Sequence, residues 1–230
     1  MNEFKIASKI YHDYSFKEGN QHIASEYNLY HILKYAKEKN VTKVLEIGTG
    51  IGTILSLFQE AKKEGFLKIS NYIGTEANEF CLEQIQLNCY NHDHSDLNSS
   101  IVSDGSQIDL NGFELAIIDG KAPYLEQVVT NLLSENALIL IEGYREDQVN
   151  RIKSVLDLNK RPYDYFMRFS TWRNPPYGPF HQKFQAGHTI FFLNPTKNDR
   201  EFCGKMRRLA RLRYHGRKVV NFRSLVKIIG

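Results

Sequence analysis

The stretch Val44-Leu45-Glu46-Ile47-Gly48-Thr49-Gly50-Ile51-Gly52-Thr53 constrains this chain more than any other part of it. Val44, Leu45 and Ile47 form a short apolar run, the pattern of a strand covered on both faces. Gly48, Gly50 and Gly52 follow at alternate positions, where the backbone turns tightly and approaches a ligand with no side chain in the way. Ile51 to Lys63 carries good helix formers, so free N–H groups at the helix start point back into the turn. Strand, glycine turn and helix in this order predict a nucleoside cofactor cradled at the turn.

The rest of the chain repeats the alternation. Ile23, Tyr27, Tyr30 and Leu33 recur at helical spacing between Gln21 and Lys39, and Asn40 stops that helix. Short strands are expected at 71–76, 100–105, 113–120 and 137–143, with helices at 79–89, 123–133 and 145–158 between or after them. Segments 163–170 and 188–193 are β-rich and form an antiparallel pair around a long loop. Residues 1–20 are mixed and aromatic, and no element is assigned there. The pattern predicts an α/β fold: a Rossmann-like, seven-stranded, mostly parallel sheet with helices on both faces and the last strand antiparallel. Four strands end in an acid: Glu76, Asp104, Asp119 and Glu142. In open α/β sheets ligands bind outside the carboxyl ends of the strands, so these acids share one ligand edge.

The spacing at the turn narrows the cofactor. A dinucleotide turn needs Gly-x-Gly-x-x-Gly, and the sixth residue counted from Gly48 is Thr53. Glu46, two residues before Gly48, repels a pyrophosphate and attracts an amino-acid ammonium. The cofactor expected is therefore cationic at one end and free of phosphate. His92-Asp93-His94 reads as a solvated loop rather than a metal fragment, and Cys81, Cys89 and Cys203 show no ligand spacing and no paired framework. Free thiols, a polar and charge-mixed N-terminus and the lack of any apolar run of about 20 residues predict a cytoplasmic protein with no transmembrane segment.

Val44 to Gly52, followed by the ordered acids, resembles the first motif and strand-end pattern of class I S-adenosylmethionine-dependent methyltransferases. The resemblance spans residues 22–194 in architecture and is specific at 44–53, 72–76, 101–106, 113–121 and 137–143. It implies S-adenosyl-L-methionine as cofactor. Glu46 with Gly48, Thr49, Gly50 and Gly52 would hold the methionine end. Glu76, beside Ala77, would chelate the ribose hydroxyls, and Asp104 with Gly105 and Ser106 would face the adenine.

Ile117-Ile118-Asp119-Gly120-Lys121-Ala122-Pro123-Tyr124 resembles the strand-four region of catechol-type O-methyltransferases. That likeness implies transfer to a hydroxyl of a small-molecule or glycan acceptor. It makes Asp119 both cofactor-facing and catalytic, and makes Asp119 and Glu142 the ligands of a divalent cation such as Mg. Gly143 stands where the family has a ligating asparagine. Without a metal, Asp119 or a histidine, His181 or His188, would act as base. Loop 171–187 holds the only tryptophan and three of the six prolines. There Trp172, Tyr177 and Phe180 could stack on a ring or sugar and Arg173 or Lys183 could hold an anion, with Trp172, Arg173 and Tyr177 the candidate substrate contacts. Asn174-Pro175-Pro176-Tyr177 is identical to the motif of adenine- and glutamine-amide methyltransferases, but it lies beyond strand five rather than closing strand four. It is read as a decoy.

Charge divides the chain. Residues 199–230 carry ten Lys/Arg against two acids, so the body of the chain has a net charge of −4 and the tail +8. The division expected is a methyltransferase domain over 1–198 with an N-terminal helix, and a basic amphipathic extension over 199–230. The extension reads first as a helix docked on the body or on a second copy in a homodimer. Its alternatives are an anionic partner such as nucleic acid, or a membrane-surface contact. N-methylation of nucleic acid or protein, and a non-catalytic cofactor-binding scaffold, are the alternative functions.

Overall fold

The structure, a computed structural model, describes residues 2–90, 97–120 and 124–226, with side chains to residue 212. Seven strands form one sheet: β1 (Lys43–Ile47), β2 (Asn71–Thr75), β3 (Asn98–Val102), β4 (Phe113–Ile118), β5 (Leu133–Glu142), β6 (Tyr163–Arg168) and β7 (His188–Leu193). The order is β3-β2-β1-β4-β5-β7-β6. β1 to β5 run parallel, and β7 lies antiparallel between β5 and β6. This is the α/β sheet that the alternation predicts.

Alternation along each strand builds two cores, because successive side chains point to opposite faces. Val44, Tyr72, Leu115, Ile117, Leu138, Leu140, Ile190 and Phe192 pack one face. They meet α1 (Glu3–Ser15), α2 (Glu26–Glu38), α3 (Thr53–Lys63), α4 (Glu79–Ile85) and the first turns of α7 (Lys197–Val226). Leu45, Ile47, Ala116, Ile118, Ile139, Ile141 and Phe191 pack the other face against α5 (Leu125–Gln127), the π-helical turn Val128–Leu132 and α6 (Glu146–Leu158).

The differences from the sequence expectation are local. Residues 3–15 form α1, capped by the Asn2 side chain on the Lys5 N–H, where no element was expected. Its buried stripe Ile6, Ala7, Ile10, Tyr11, Tyr14 has helical spacing, with the two tyrosines serving as core residues. α2 begins at Glu26 rather than near Gln21, because Ser25 caps the Asn28 N–H and a single 3-10 turn at Asn20–His22 precedes it. β3 ends at Val102, so Asp104 lies beyond the strand and caps a short turn by accepting from the Ser106 N–H.

α7 starts at Lys197, and the expected boundary at 198/199 falls inside its first turn. Cys203 and Met206 are buried against the body, and Arg207 pairs with Asp164 of β6. The side chains of Arg213, Arg217, Lys218, Arg223 and the apolar run from Val219 lie outside the described residues, as do His92-Asp93-His94 and Lys121 to Pro123. Among the described residues no helix is long and apolar enough to cross a membrane.

The glycine turn sits where three strand ends meet. Gly48 and Thr49 both donate their N–H to the Thr75 carbonyl at the end of β2, each at 3.0 Å. Asp119 and Gly120 donate to the Ile47 carbonyl, each at 2.9 Å. Gly48 has φ +85°, and a Cβ there would meet the Gly120 nitrogen at 2.7 Å. Gly65, at φ +64°, has nothing within 4 Å of such a Cβ. The pair separates backbone strain from crowding. Gly65→Ala should cost only the left-handed penalty, about 1 kcal/mol, and Gly48→Ala about 2–4 kcal/mol. Denaturant unfolding of both variants checks this; equal losses would mean that the close approach of β4 to the turn is unimportant.

Candidate functional site

A cavity of about 910 Å³ opens at the carboxyl ends of β1, β2, β4 and β5. That volume lies within the range of about 300–1,000 Å³ typical of small-molecule sites. Of the residues singled out from sequence, Gly48, Gly50, Glu76, Ala77, Asp104, Asp119 and Glu142 line it. Each reaches it for the reason the topology gives: a residue at a strand end, or in the turn that follows.

Glu76 is tied into the turn. One carboxylate oxygen accepts from the Gly50 N–H at 2.8 Å, and the other accepts from the Ala77 and Asn78 N–H groups at 2.9 Å. The carboxylate is thereby fixed at the end of β2 with lone pairs left for further donors. Asp104 is exposed, and its carboxyl is held below the ordinary range by the Ser106 N–H.

Glu46 lies beneath the turn rather than in the cavity wall. It is 1% exposed, and its Oε2 has no hydrogen-bond partner. Burial, and then the negative charge of Asp119, push its carboxyl well above the ordinary value. A buried carboxylate oxygen with no partner is costly, and it marks a place for a cation or a donor that arrives later. Thr49 and Gly52 serve the fold instead of lining the cavity. The Thr49 hydroxyl donates to the Thr75 carbonyl, and a Cβ at Gly52 would meet the Cys89 sulfur at 2.5 Å. Gly105 sits under the Tyr124 ring, whose hydroxyl donates to Thr75 Oγ1 at 2.8 Å. Ser106 acts as the N–H donor to Asp104.

The strand-four and strand-five acids are already engaged. Arg145 donates to both the carbonyl and a carboxylate oxygen of Asp119. The Asp119 side chain keeps 29% exposure. Burial raises its carboxyl, while Arg145 and His22 pull it back down. Glu142 is 7% exposed; its Oε1 accepts from the Ser25 N–H at 3.1 Å and from Asn28 Nδ2 at 2.7 Å, and its Oε2 has no partner. Burial, followed by Asp119, pushes the Glu142 carboxyl up to about 8.

This donor set does not fit the divalent cation that the resemblance implies. A guanidinium occupies Asp119, one Glu142 oxygen is taken, and Gly143 offers no side chain. Among the described residues no group of three or more His, Cys, Asp or Glu side chains could hold a metal.

Neither histidine named from sequence as a base lines the cavity. His181 is exposed and outside the lining. His188 is fully buried, with Nδ1 2.9 Å from Asn28 Oδ1 and Nε2 3.2 Å from the Tyr35 hydroxyl. Since Asn28 donates through Nδ2 to Glu142, its Oδ1 must accept, which assigns the proton to His188 Nδ1. Tyr35 then donates to Nε2 and accepts from Arg168. Burial and Arg168 hold His188 neutral, with a pKa down at about 3. A line of hydrogen bonds thus runs from Arg168 through Tyr35, His188 and Asn28 to Glu142.

The proposed substrate contacts Trp172, Arg173 and Tyr177 point elsewhere. Trp172 packs on Phe4, Tyr27 and Tyr30, and Tyr177 packs on Tyr11, His12 and Phe16, so both pin the loop to α1 and α2. Arg173 is exposed and bridges to Phe184 through the backbone. Of the loop aromatics named from sequence Phe180 does line the cavity, joined by Asn174, Gln182, Phe184 and Gln185. With Tyr177 turned onto α1, the tyrosine of the Asn-Pro-Pro-Tyr run is outside the cavity. His22, Ser25, Tyr124, Tyr144 and Arg145 also line it and were not singled out from sequence. Only Tyr124 lay in a quoted motif; the others are placed by tertiary packing.

By sequence, no protein-family model and no curated protein matches the chain. Solved structures match its fold. A precorrin-6y C5,15-methyltransferase from Geobacter metallireducens superposes with a TM-score of 0.57 at 15% identity, over 80% of this chain and 96% of that one. An O-methyltransferase from Bacillus cereus in complex with SAH gives 0.56 at 12% identity, over 83% and 91%. A tRNA methyltransferase from Aquifex aeolicus gives 0.55 at 18% identity, over 86% and 77%. The chain has the Rossmann-like methyltransferase fold.

A carboxyl whose folded pKa lies above its unfolded value binds its extra proton in the folded state. The Glu142 contribution therefore declines as pH rises from about 4.5 to about 8. Glu142→Gln removes that dependence, so its stability relative to the parent should increase between about pH 5 and about pH 8. Urea unfolding at both values measures the difference; a constant difference would mean that Glu142 ionises normally.

Proposed function

We propose that the chain transfers a methyl group from S-adenosylmethionine to a hydroxyl of a small acceptor, without a divalent cation. The observation that carries the cofactor is Glu46: a buried carboxylate with an unpartnered oxygen, two residues before a glycine turn at the ligand edge. Among the described residues the cavity wall adds Glu76, Asp104, Asp119 and Glu142 against one guanidinium, Arg145. Such a wall favours a ligand that is positive at one end and lacks phosphate.

Each residue has a task in this reading. Glu46 attracts the ammonium of the methionine part, and Gly48 and Gly50 let the backbone approach it. Glu76 accepts from the two ribose hydroxyls while the Gly50, Ala77 and Asn78 N–H groups keep it in place. Asp104 accepts from the adenine amine, and the Tyr124 ring closes that side. The cofactor, when bound, supplies an activated methyl group. The protein orients the acceptor and takes its proton. Asp119 holds Arg145 in the cavity wall, leaving Glu142 Oε2 as the carboxylate oxygen free to accept a proton. A positive ligand nearby lowers the Glu142 pKa and so prepares it as a base.

The reading is tested in two steps. Calorimetry should give S-adenosylmethionine binding that weakens about tenfold or more in Glu76→Ala, the loss of charge-assisted hydrogen bonds; an unchanged affinity would remove the ribose assignment. Methyl transfer from labelled cofactor to a hydroxyl library should then survive exhaustive chelation. Activity that vanishes on chelation and returns with magnesium would overturn the cation-free mechanism.

A further inference from the structure

The acceptor side of the cavity has an uneven hydrogen-bonding capacity. Glu142 Oε1 is held by Ser25 and Asn28, and the line from Arg168 through His188 fixes Asn28. Glu142 Oε2 is left buried with no partner. Across the cavity, Asn174 donates through Nδ2 to the Gln182 carbonyl at 2.7 Å, and its buried Oδ1 has no partner either. Gln185 is spent at both ends, accepting from the Tyr27 N–H at 2.7 Å and donating to the Arg173 carbonyl at 3.2 Å. The two buried polar atoms left without a partner in the lining are both acceptors. A buried acceptor without a donor is destabilising, and a ligand rich in O–H or N–H groups relieves it.

Charge and shape narrow the ligand further. Among the described residues the one guanidinium in the lining is engaged by Asp119, and Glu76 and Asp104 add negative charge. A phosphate or carboxylate entering here would be desolvated beside carboxylates, with no unengaged Lys or Arg among the described lining residues to meet it. Tyr144, half exposed, and Phe180 and Phe184 also line the space. They offer apolar faces to the C–H side of a ring whose edge carries donors.

Resting on the methyl-transfer reading, we propose that the acceptor is a polyhydroxylated ring, a sugar or cyclitol, neutral or amino-substituted but without phosphate or carboxylate. Its hydroxyls donate to Glu142 Oε2 and Asn174 Oδ1. A simple phenol brings fewer donors and leaves one of these acceptors unmet.

Glu142→Gln is the sharpest variant, because it keeps the Oε1 acceptor for Ser25 and Asn28 and turns the free oxygen into a donor. The test is saturation-transfer NMR on the full chain loaded with S-adenosylhomocysteine, at about pH 9, where the Glu142 carboxylate is ionised. The probes are glucosamine, myo-inositol, a hexose phosphate and phenol. Glucosamine or myo-inositol should bind, the hexose phosphate and phenol should bind more weakly, and Glu142→Gln should lose about tenfold in polyol affinity. Stronger binding of phenol or the phosphate, absence of any polyol signal, or an unchanged Glu142→Gln variant would overturn the proposal. Calorimetry with S-adenosylhomocysteine on the same samples separates the failures. A protein that binds the nucleoside but no polyol sinks this inference alone, and one that binds no nucleoside sinks the methyl-transfer reading beneath it.

Discussion

The pair of hydrogen bonds from Gly48 and Thr49 to the Thr75 carbonyl is the joint on which the site depends. It fixes the end of β1 to the end of β2, while the Ile47 carbonyl receives Asp119 and Gly120 from the end of β4. Three strand ends are thereby registered within a few residues, so acids distant in sequence open onto one cavity. The geometry demands glycine at Gly48, where β4 passes too close for a Cβ. It demands glycine again at Gly50, where a Cβ would lie 2.4 Å from the His22 carbonyl. The second contact brings the segment before α2 over the turn, and that segment delivers Ser25 and Asn28 to Glu142. Turn, helix cap and acceptor-side carboxylate form one connected construction.

Charge inside that construction is unbalanced in the absence of ligand. Glu46 and Glu142 are buried with one unpartnered oxygen each, and Asp119 is offset by Arg145 and, less, by His22. Buried carboxylates this close raise one another's pKa, and a cation relieves the repulsion. A resident metal would be one way to supply that charge. Here Arg145 takes the Asp119 side, Glu76 and Asp104 line the cavity, and Glu46 lies beneath the turn. A sulfonium with an ammonium group suits this arrangement better than a phosphate-bearing nucleotide does.

The parallel core and its ligand edge were legible in sequence because they rest on local signals. Apolar runs at Val44–Ile47 and Ala137–Ile141, a glycine turn and an acid after each strand need no tertiary information. The acceptor side was not legible in the same way. Trp172 and Tyr177 look like ligand-stacking residues by type, yet the structure spends them on Tyr27, Tyr30, Tyr11 and Phe16. That outcome depends on α1, whose apolar stripe is partly tyrosine and was read as mixed sequence. Without α1 Tyr177 has no surface to pack on and Trp172 keeps only Tyr27 and Tyr30 of α2, so a reading that lacks α1 leaves the loop free to bind. Arg145 was hidden for a related reason: at the start of α6 it has the place of an ordinary solvated residue, and only the turn after β4 shows that it reaches Asp119.

The loop is consequently held from outside and read from inside. Trp172 and Tyr177 anchor its outer surface to α1 and α2, and Gln185 ties it to the Tyr27 N–H at the start of α2. Its inner residues Asn174, Phe180 and Phe184 are then presented to the cavity from a fixed frame. Fixing the frame lowers the entropy lost when an acceptor binds, because the contacting side chains are already ordered. Within that frame the Asn174 amide nitrogen is committed to the Gln182 carbonyl, and its oxygen is left without a partner. Trp172 and Tyr177, aromatic by type and placed in a long loop, thus act in this fold as packing groups that fix where the smaller polar side chains of the loop stand.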